Sequence, residues 1–196
     1  MPKKWGIFNL HRRVMEIIKT NTPDVLLIKP RVFEDKRGFF METFQAEKMK
    51  EAGINHCFVQ DNHSRSIRGT LRGLHYQIDN AQGKLVRVVV GKIYDVAVDI
   101  RKSSPTFGKW VGVILSAENK NQLWIPPGFA HGFYVISESA DVIYKATDFY
   151  NASAERCIMW NDKALDIDWH LMEGVEPILS VKDLEGKSLE NAEVFI

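Results

Sequence analysis

The sequence contains little cysteine, no long apolar run and no excess of charge of one sign, and each shortage excludes a class of protein. Cys57 and Cys157 are the two cysteines in 196 residues, too few for a disulfide framework. Each lies beside apolar residues, which predicts buried free thiols. No apolar run approaches the roughly 20 residues of a membrane span. A net charge of +1 argues against a nucleic-acid-binding surface, which usually has a basic excess.

The N-terminal segment carries basic residues but has no apolar stretch of the kind found in signal peptides. We therefore expect a cytoplasmic protein that has neither a membrane nor a nucleic acid as partner. Apolar residues make up 45% and charged residues 26% of the chain, a balance typical of a soluble globular domain with a real core. We expect residues 1–21 to form an N-terminal arm and residues 22–196 to form a single domain.

From residue 25 onward the sequence consists of short β-branched and aromatic runs separated by Gly, Pro, Asn and Asp, which predicts strands. Residues 94–101 alternate strictly in polarity, as a half-buried strand does. The best helix signal is QAEKMKEAG at 45–53, with Gly53 as its C-terminal cap. Many short strands, few helices and no βαβ rhythm predict an all-β sandwich, barrel or jelly roll.

The strand LRGLHYQ, at residues 71–77, carries polar side chains among apolar ones. Simple alternation places His75 on one face with Gly73, and Arg72 on the other face. A glycine inside a strand often marks a bulge. Gly73 therefore predicts either a bulge that re-aims Arg72 or an Arg72 that reaches the rim of the barrel.

Four residues on separate predicted strands offer groups for proton chemistry: His75, Lys84, His131 and Tyr144. Each has an ordinary structural explanation when it is taken alone. Together they suit the removal of a proton next to a carbonyl group. A neutral imidazole accepts the proton, a fixed ammonium group stabilises the enolate oxygen, and a tyrosine on the opposite side returns a proton.

A metal site is an alternative use of the same histidines. The segment Pro126-x-Gly128-x-x-His131 resembles the second half of the metal motif of cupins. The first half requires a second histidine close to His75, and Gln77 stands in that place. A transition-metal site needs about three protein ligands, and the two histidines supply at most two. We therefore expect no metal and no other cofactor.

Several stretches resemble the dTDP-4-dehydrorhamnose 3,5-epimerase family, from about residue 22 to about residue 187. They are FEDKRGFFMETF, FVQDNHSRS, LRGLHYQ, AQGKLVRVVVGKIYDVAVDIR, IPPGFAHGFYVIS, YKATDFY and WNDKALDIDW. The resemblance implies a cupin-type jelly roll, a double-stranded β-helix barrel with a few short helices, which needs no metal and forms a homodimer. The implied reaction inverts C3 and C5 of dTDP-4-dehydro-6-deoxy-D-glucose and gives dTDP-4-dehydro-L-rhamnose, within dTDP-L-rhamnose synthesis.

The resemblance also implies a role for individual residues. The implied catalytic residues are the proton acceptor His75, the proton donor Tyr144, Lys84 at the C4 oxygen, and Asp183, which orients the histidine. The implied substrate-binding residues are Arg37, Glu42, Gln60, Asp61, Asn62, Arg72, His131, Glu155 and Lys182. We expect Arg37 and Glu42 to reach the nucleotide across the dimer and Arg72 to bind the diphosphate, because a planar cation suits paired phosphate oxygens.

Three alternatives remain open. A related enzyme that inverts C3 alone, or shifts the keto group of the same type of substrate, would differ in the orientation of Tyr144 more than in its presence. A metal-dependent cupin enzyme would contain stoichiometric metal. A barrel that only binds sugar nucleotides would have no use for His75, Lys84 and Tyr144 together.

Overall fold

The computed structural model describes residues 15–196, which contain thirteen strands and two short helices. The strands are β1 (Met15–Lys19), β2 (Leu26–Pro30), β3 (Val32–Asp35), β4 (Gly38–Met41), β5 (Gln60–Ile67), β6 (Leu71–Gln77), β7 (Lys84–Val90), β8 (Lys92–Asp99), β9 (Trp110–Ser116), β10 (Gln122–Ile125), β11 (Phe129–Val135), β12 (Ser139–Ala146) and β13 (Glu155–Cys157). The helices are α1 (Ala46–Glu51) and α2 (Val181–Leu184). Within these residues, no helix has the length and apolar content needed to span a membrane.

The strands form two larger sheets and a separate hairpin. One sheet has six strands in the order β1-β2-β10-β7-β12-β5, and the other has five in the order β13-β6-β11-β8-β9. Neighbouring strands in both sheets are antiparallel, and β3 pairs with β4 as a two-stranded sheet. The predicted all-β jelly roll with few short helices is confirmed.

The two sheets face one another across an apolar core that becomes polar at one end. In the apolar part of this core, valines of β7 and β12 pack against residues of β8, β9 and β11, including Ile93, Leu115 and Phe133. Further along the same inner rows, β7 reaches Lys84 and β12 reaches Tyr144. The sequence thus fills most of the space between the sheets with side chains and leaves polar groups at one mouth of the barrel.

The outer faces of both sheets are also covered. Met49 of α1 and Ile54 pack on the six-stranded sheet, and Trp169 in the C-terminal region packs on the five-stranded sheet. The helix predicted at 45–53 is confirmed, since Gln45 caps the N-terminus of α1 and Gly53 follows its end with φ of +88°.

Within the predicted arm of residues 1–21, β1 pairs with β2 and its residue Ile17 packs on the six-stranded sheet; residues 1–14 of that arm lie outside the described residues. The structure corrects two sequence-based expectations. Strand β8 is buried on both faces rather than half-buried. The face that alternation assigned to solvent, with Asp95 and Ala97, points into the barrel, and the C-terminal region covers the opposite, apolar face. Cys57 is exposed rather than buried, and Cys157 is half-buried.

Candidate active site

Strand β6 contains a bulge, which was one of the two alternatives predicted at Gly73. In the pairing of β6 with β11, His75 lies opposite His131 and Arg72 lies opposite Phe133. The interval therefore holds one more residue in β6 than in β11, which is the definition of a bulge. Because of the extra residue, Arg72 and His75 project from the same inner face of the sheet.

Two glycines allow β6 and β11 to approach at this bulge. A Cβ atom on Gly73 would lie 2.5 Å from the Cα atom of Gly132, and a Cβ atom on Gly132 would lie 2.7 Å from the carbonyl oxygen of Arg72. Gly73 also has φ of +134°, which side chains on L-residues rarely tolerate. The bulge therefore requires glycine in both strands.

His75 forms a dyad with Asp183, which the C-terminal region supplies from α2. Nε2 of His75 lies 2.7 Å from Oδ1 of Asp183. The same oxygen accepts the Gly73 amide at 2.9 Å, and Oδ2 accepts the amide and hydroxyl of Ser180. Burial alone would raise the pKa of Asp183, but these hydrogen bonds outweigh it and hold the pKa well below its usual value. The anionic carboxylate thus favours the tautomer with a proton on Nε2 and a lone pair on Nδ1.

Glu155 of β13 lies beside the outer nitrogen of the dyad. Its Oε1 atom is 3.9 Å from Nδ1 of His75. Its Oε2 atom accepts hydrogen bonds from the ammonium group of Lys182 and from the hydroxyl of Tyr150. Burial opposes ionisation, but the hydrogen bonds from Lys182 and Tyr150 outweigh it and hold the pKa of Glu155 below its usual value. Two predicted binding residues, Glu155 and Lys182, are therefore brought to His75.

Lys84 and Tyr144 face the cluster of His75, Asp183 and Glu155 from the six-stranded sheet. The Lys84 ammonium nitrogen lies 5.9 Å from the centre of the Tyr144 ring. Burial lowers the pKa of Lys84 to about 8, although the carboxylates of Asp95 and Glu155 limit the shift. Burial also raises the pKa of Tyr144, and Glu155 adds to that shift while Arg72 opposes it. Glu155, which lies beside His75, thus also affects the pKa values of Lys84 and Tyr144 on the facing sheet.

His131 forms a second buried dyad with Asp95. His131 was among the predicted site residues, whereas Asp95 was not. Nε2 of His131 lies 2.8 Å from Oδ1 of Asp95, and both side chains are buried. Oδ2 of Asp95 has no hydrogen-bond partner within residues 15–196. The sequence feature that could have identified Asp95 is the strict alternation of β8. It places Asp95 on the same face as Ala97, and that face points into the barrel.

The predicted residues of β5 divide between its two faces. Asn62 lies opposite Tyr144 on the inner face. Gln60 donates to the Asn62 side chain at 3.0 Å and accepts the Tyr150 amide at 2.9 Å, so both residues border the site. Asp61 points to the other face, where it forms an ion pair with Lys145 at 3.0 Å. Within one chain, Asp61 does not join the cluster.

Arg37 and Glu42 also lie apart from the cluster within one chain. Arg37 occupies the turn of the β3–β4 hairpin, is 89% exposed and pairs with Asp35 at 2.6 Å. Glu42 follows the hairpin and pairs with Lys48 of α1 at 2.6 Å. The hairpin is its own two-stranded sheet, so neither side chain belongs to the walls of this barrel.

A cleft of about 490 Å³ opens at the edge of β13 and reaches the dyad. His75, Glu155 and Lys182 line it together with Cys157, whereas Lys84 and Tyr144 do not. The volume is within the range of small-molecule sites. Tyr150, which was not among the predicted site residues, stands beside this cleft through its hydrogen bond to Glu155.

The side chains that offer metal ligands differ from the cupin motif. His75 and His131 lie opposite each other, but each Nε2 atom is already bound to a buried carboxylate. The group of three possible ligands among residues 15–196 is instead His75, Cys157 and Asp183, whose ligand atoms all lie within 4.8 Å of one another.

Each comparison with known proteins finds epimerases. The dTDP-4-dehydrorhamnose 3,5-epimerase family model matches residues 19–191. The dTDP-4-dehydrorhamnose 3,5-epimerase of Shigella flexneri is 59% identical over 93% of this chain and 100% of its own length. The crystal structure of dTDP-6-deoxy-D-glucose-3,5-epimerase from Legionella pneumophila, in complex with dTDP-4-keto-L-rhamnose, is 54% identical with a TM-score of 0.89, covering 91% of this chain and 95% of that one. ChmJ, a 3'-monoepimerase from Streptomyces bikiniensis, is 30% identical with a TM-score of 0.82, covering 89% and 88%.

Proposed function

The chain belongs to the dTDP-4-dehydrorhamnose 3,5-epimerase family, and from that premise we infer that it is an isomerase of a dTDP-linked 4-keto sugar. The substrate is dTDP-4-dehydro-6-deoxy-D-glucose, and inversion at C3 and C5 gives dTDP-4-dehydro-L-rhamnose. The observation that carries the proposed mechanism is the His75–Asp183 dyad, which faces Lys84 and Tyr144 across the barrel.

Proton removal is assigned to His75. Both C3 and C5 are bonded to the C4 carbonyl carbon, so loss of a proton from either carbon gives an enolate. Nδ1 of His75 carries the lone pair that accepts this proton, because Nε2 donates to Asp183. The buried carboxylate then stabilises the imidazolium that forms, and its bonds to Gly73 and Ser180 keep it in position.

Stabilisation of the enolate is assigned to Lys84. A fixed ammonium group in a half-buried site interacts strongly with an oxygen that gains negative charge. A pKa of about 8 leaves Lys84 mostly protonated at neutral pH and close to the range in which proton sharing with the enolate is efficient. Asp95 supports this role because its negative charge limits the loss of the Lys84 proton.

Proton return is assigned to Tyr144. It stands on the six-stranded sheet, whereas His75 stands on the five-stranded sheet. A sugar held between the sheets is deprotonated on one face and reprotonated on the other, which inverts the carbon. The raised pKa of Tyr144 keeps the phenol protonated until the enolate is available.

Substrate binding is assigned to polar groups around the catalytic cluster. Arg72, re-aimed by the bulge to the inner face, suits the diphosphate because a guanidinium group matches paired phosphate oxygens. Binding of the nucleotide and sugar is assigned to the remaining inner or rim residues Gln60, Asn62, His131, Glu155 and Lys182. The Glu155–Lys182 pair lies at the cleft, so a bound substrate would contact or displace it.

A homodimer is part of the proposal, and the β3–β4 hairpin is its proposed contact. Phe39 and Phe40 are 58% and 71% exposed on this hairpin, and an apolar patch of this kind commonly marks a protein interface. Docking of the hairpin on a second copy would carry Arg37 and Glu42 to the nucleotide site of that copy. A cytoplasmic location is proposed as well, which suits a chain whose two cysteines are unpaired.

The test is a time course in D2O by NMR with dTDP-4-dehydro-6-deoxy-D-glucose and no added metal. Deuterium is expected at both C3 and C5, with the L-sugar product trapped by a reductase. Exchange at C3 alone would assign the chain to monoepimerases such as ChmJ, to which it is 30% identical. Exchange at neither carbon would contradict the proposed function, and elemental analysis of the protein would then test the metal-dependent alternative.

A further inference from the structure

Three elements bring a nitrogen, a sulfur and an oxygen ligand together at the dyad. Cys157 of β13 lies opposite His75 of β6 in the antiparallel register, so the two side chains share a face. Asp183 reaches the same point from α2. One ring nitrogen, the Cys157 sulfur and one Asp183 oxygen all lie within 4.8 Å of one another. This donor set is one that Zn²⁺ and similar borderline ions bind in proteins.

We propose that His75, Cys157 and Asp183 form an inhibitory binding site for Zn²⁺ and other thiophilic divalent cations. The inhibitory consequence depends on the proposed role of His75, but binding of the metal does not. Cys157 is not needed for the epimerisation assigned above, so its contribution is separable from catalysis.

The charges and protonation of the three side chains suit a divalent ion. Asp183 is already ionised, and the imidazole offers a neutral lone pair. A divalent ion that binds the Cys157 sulfur replaces the proton of the thiol, which leaves to solvent. The ion, the thiolate and the carboxylate are then neutral together, which favours binding in a half-buried site.

Metal binding removes the base whichever ring nitrogen it uses. If the ion binds Nδ1, it takes the lone pair that accepts the substrate proton. If it binds Nε2, that nitrogen loses its proton and the neutral ring retains one on Nδ1, where the lone pair had been. In both cases the 2.7 Å hydrogen bond between His75 and Asp183 is lost or rearranged. The expected result is reversible inhibition.

The two cysteines of the chain provide a matched pair of variants. Cys157→Ser removes the proposed sulfur ligand, and Cys57→Ser removes the exposed thiol as a control. Titration of the intact protein with Co²⁺ is expected to produce a sulfur-to-cobalt charge-transfer band with one equivalent of metal. The band should persist in Cys57→Ser and disappear in Cys157→Ser. This spectroscopic result does not require an active enzyme.

Inhibition provides the second measurement. Zn²⁺ is expected to inhibit wild type and Cys57→Ser equally, and a chelator should restore activity. Measured against its own metal-free activity, Cys157→Ser should need at least about 10-fold more Zn²⁺ for half-inhibition, since even residues outside the ligand shell change metal affinity 10- to 100-fold. Cys157→Ala should behave in the same way. Equal sensitivity of Cys157→Ser and Cys57→Ser to Zn²⁺, or a charge-transfer band that requires Cys57, would overturn the proposed site. Metal binding at Cys157 by a protein without epimerase activity would contradict only the proposed function.

Discussion

Arg72 and His75 are three residues apart in β6, yet both side chains project from the inner face of the sheet because the strand bulges between them. In a regular strand, residues three apart point in opposite directions. The bulge therefore lets a single short strand carry both the proposed base and the proposed diphosphate-binding cation on one face. It also places the Gly73 amide within 2.9 Å of Asp183, so the bulge and the dyad are joined.

The dyad is expected to act as one unit. His75→Ala should lower the rate of deuterium incorporation at C3 and C5 by at least about 100-fold, the usual contribution of a general base. Asp183→Asn should cause a similar loss, because the amide can favour the wrong tautomer of the imidazole. The double variant should lose little more than either single variant, as groups that act together are not additive. Single-turnover NMR measures the rates of the three variants, and circular dichroism checks that they fold. Fully additive losses in the double variant would show that His75 and Asp183 act independently.

Tyr144→Phe should uncouple exchange from inversion. His75 remains able to remove a proton and return a deuteron from the same side, so isotope should still enter the substrate with retained configuration. Formation of the inverted sugar should fall by about 100-fold or more. Tyr134→Phe is the control, because Tyr134 is buried on the other face of the five-stranded sheet. Unchanged production of the L-sugar by Tyr144→Phe would remove Tyr144 from the mechanism.

The activity should decline at alkaline pH as Lys84 loses its proton. In the proposed mechanism Lys84 acts in the protonated form, and its protonated fraction falls as pH rises through about 8. Asp95 raises the pKa of Lys84, so Asp95→Asn should shift the alkaline limb of the kcat/KM profile to lower pH. Asp168→Asn, which removes an exposed carboxylate, should leave the limb in place. Identical profiles for wild type and Asp95→Asn would contradict the assigned electrostatic role.

Complementation between inactive variants tests the proposed dimer. His75→Ala and Arg37→Ala should each be impaired, but a mixed dimer contains one site with both residues intact if Arg37 acts on the partner. Random mixing should then recover about one quarter of wild-type sites. Phe40→Ser should weaken the dimer in analytical ultracentrifugation, whereas Ile114→Ser, an exposed position on β9, should not. No recovery in dimers whose subunits have exchanged would place Arg37 outside the active site of the partner.

Gly73→Ala should reduce both stability and activity. A methyl group there would lie 2.5 Å from the backbone of Gly132, in addition to the unfavourable φ. Gly53→Ala isolates the cost of the positive φ, because Gly53 also has positive φ but no atom lies within 4 Å of the added methyl group. We expect about 1 kcal/mol for Gly53→Ala and about 1–3 kcal/mol more for Gly73→Ala. Urea unfolding measures both, and equal losses would show that the approach of β6 to β11 is not limiting.

The sequence alone determined those features that depend on local pattern or on a long resemblance. Alternation and turn residues predicted the β-rich class, Gly53 predicted the end of α1, and Gly73 predicted a bulge as one of two alternatives. These features involve neighbours in sequence, whose geometry follows from backbone preferences. The resemblance supplied Asp183, which no local pattern singles out because it lies 108 residues from His75.

Only the tertiary structure decided which polar residues are brought together and what their surroundings do to them. Asp95 reads as one polar position of an alternating strand, but the packing of two sheets buries it against His131 and near Lys84. Asp61 and Asn62 are adjacent in sequence, but they lie on opposite faces of β5 because successive side chains alternate. Burial, long-range pairing and the field of buried charges arise only when distant strands pack, and these set the protonation states on which the chemistry depends.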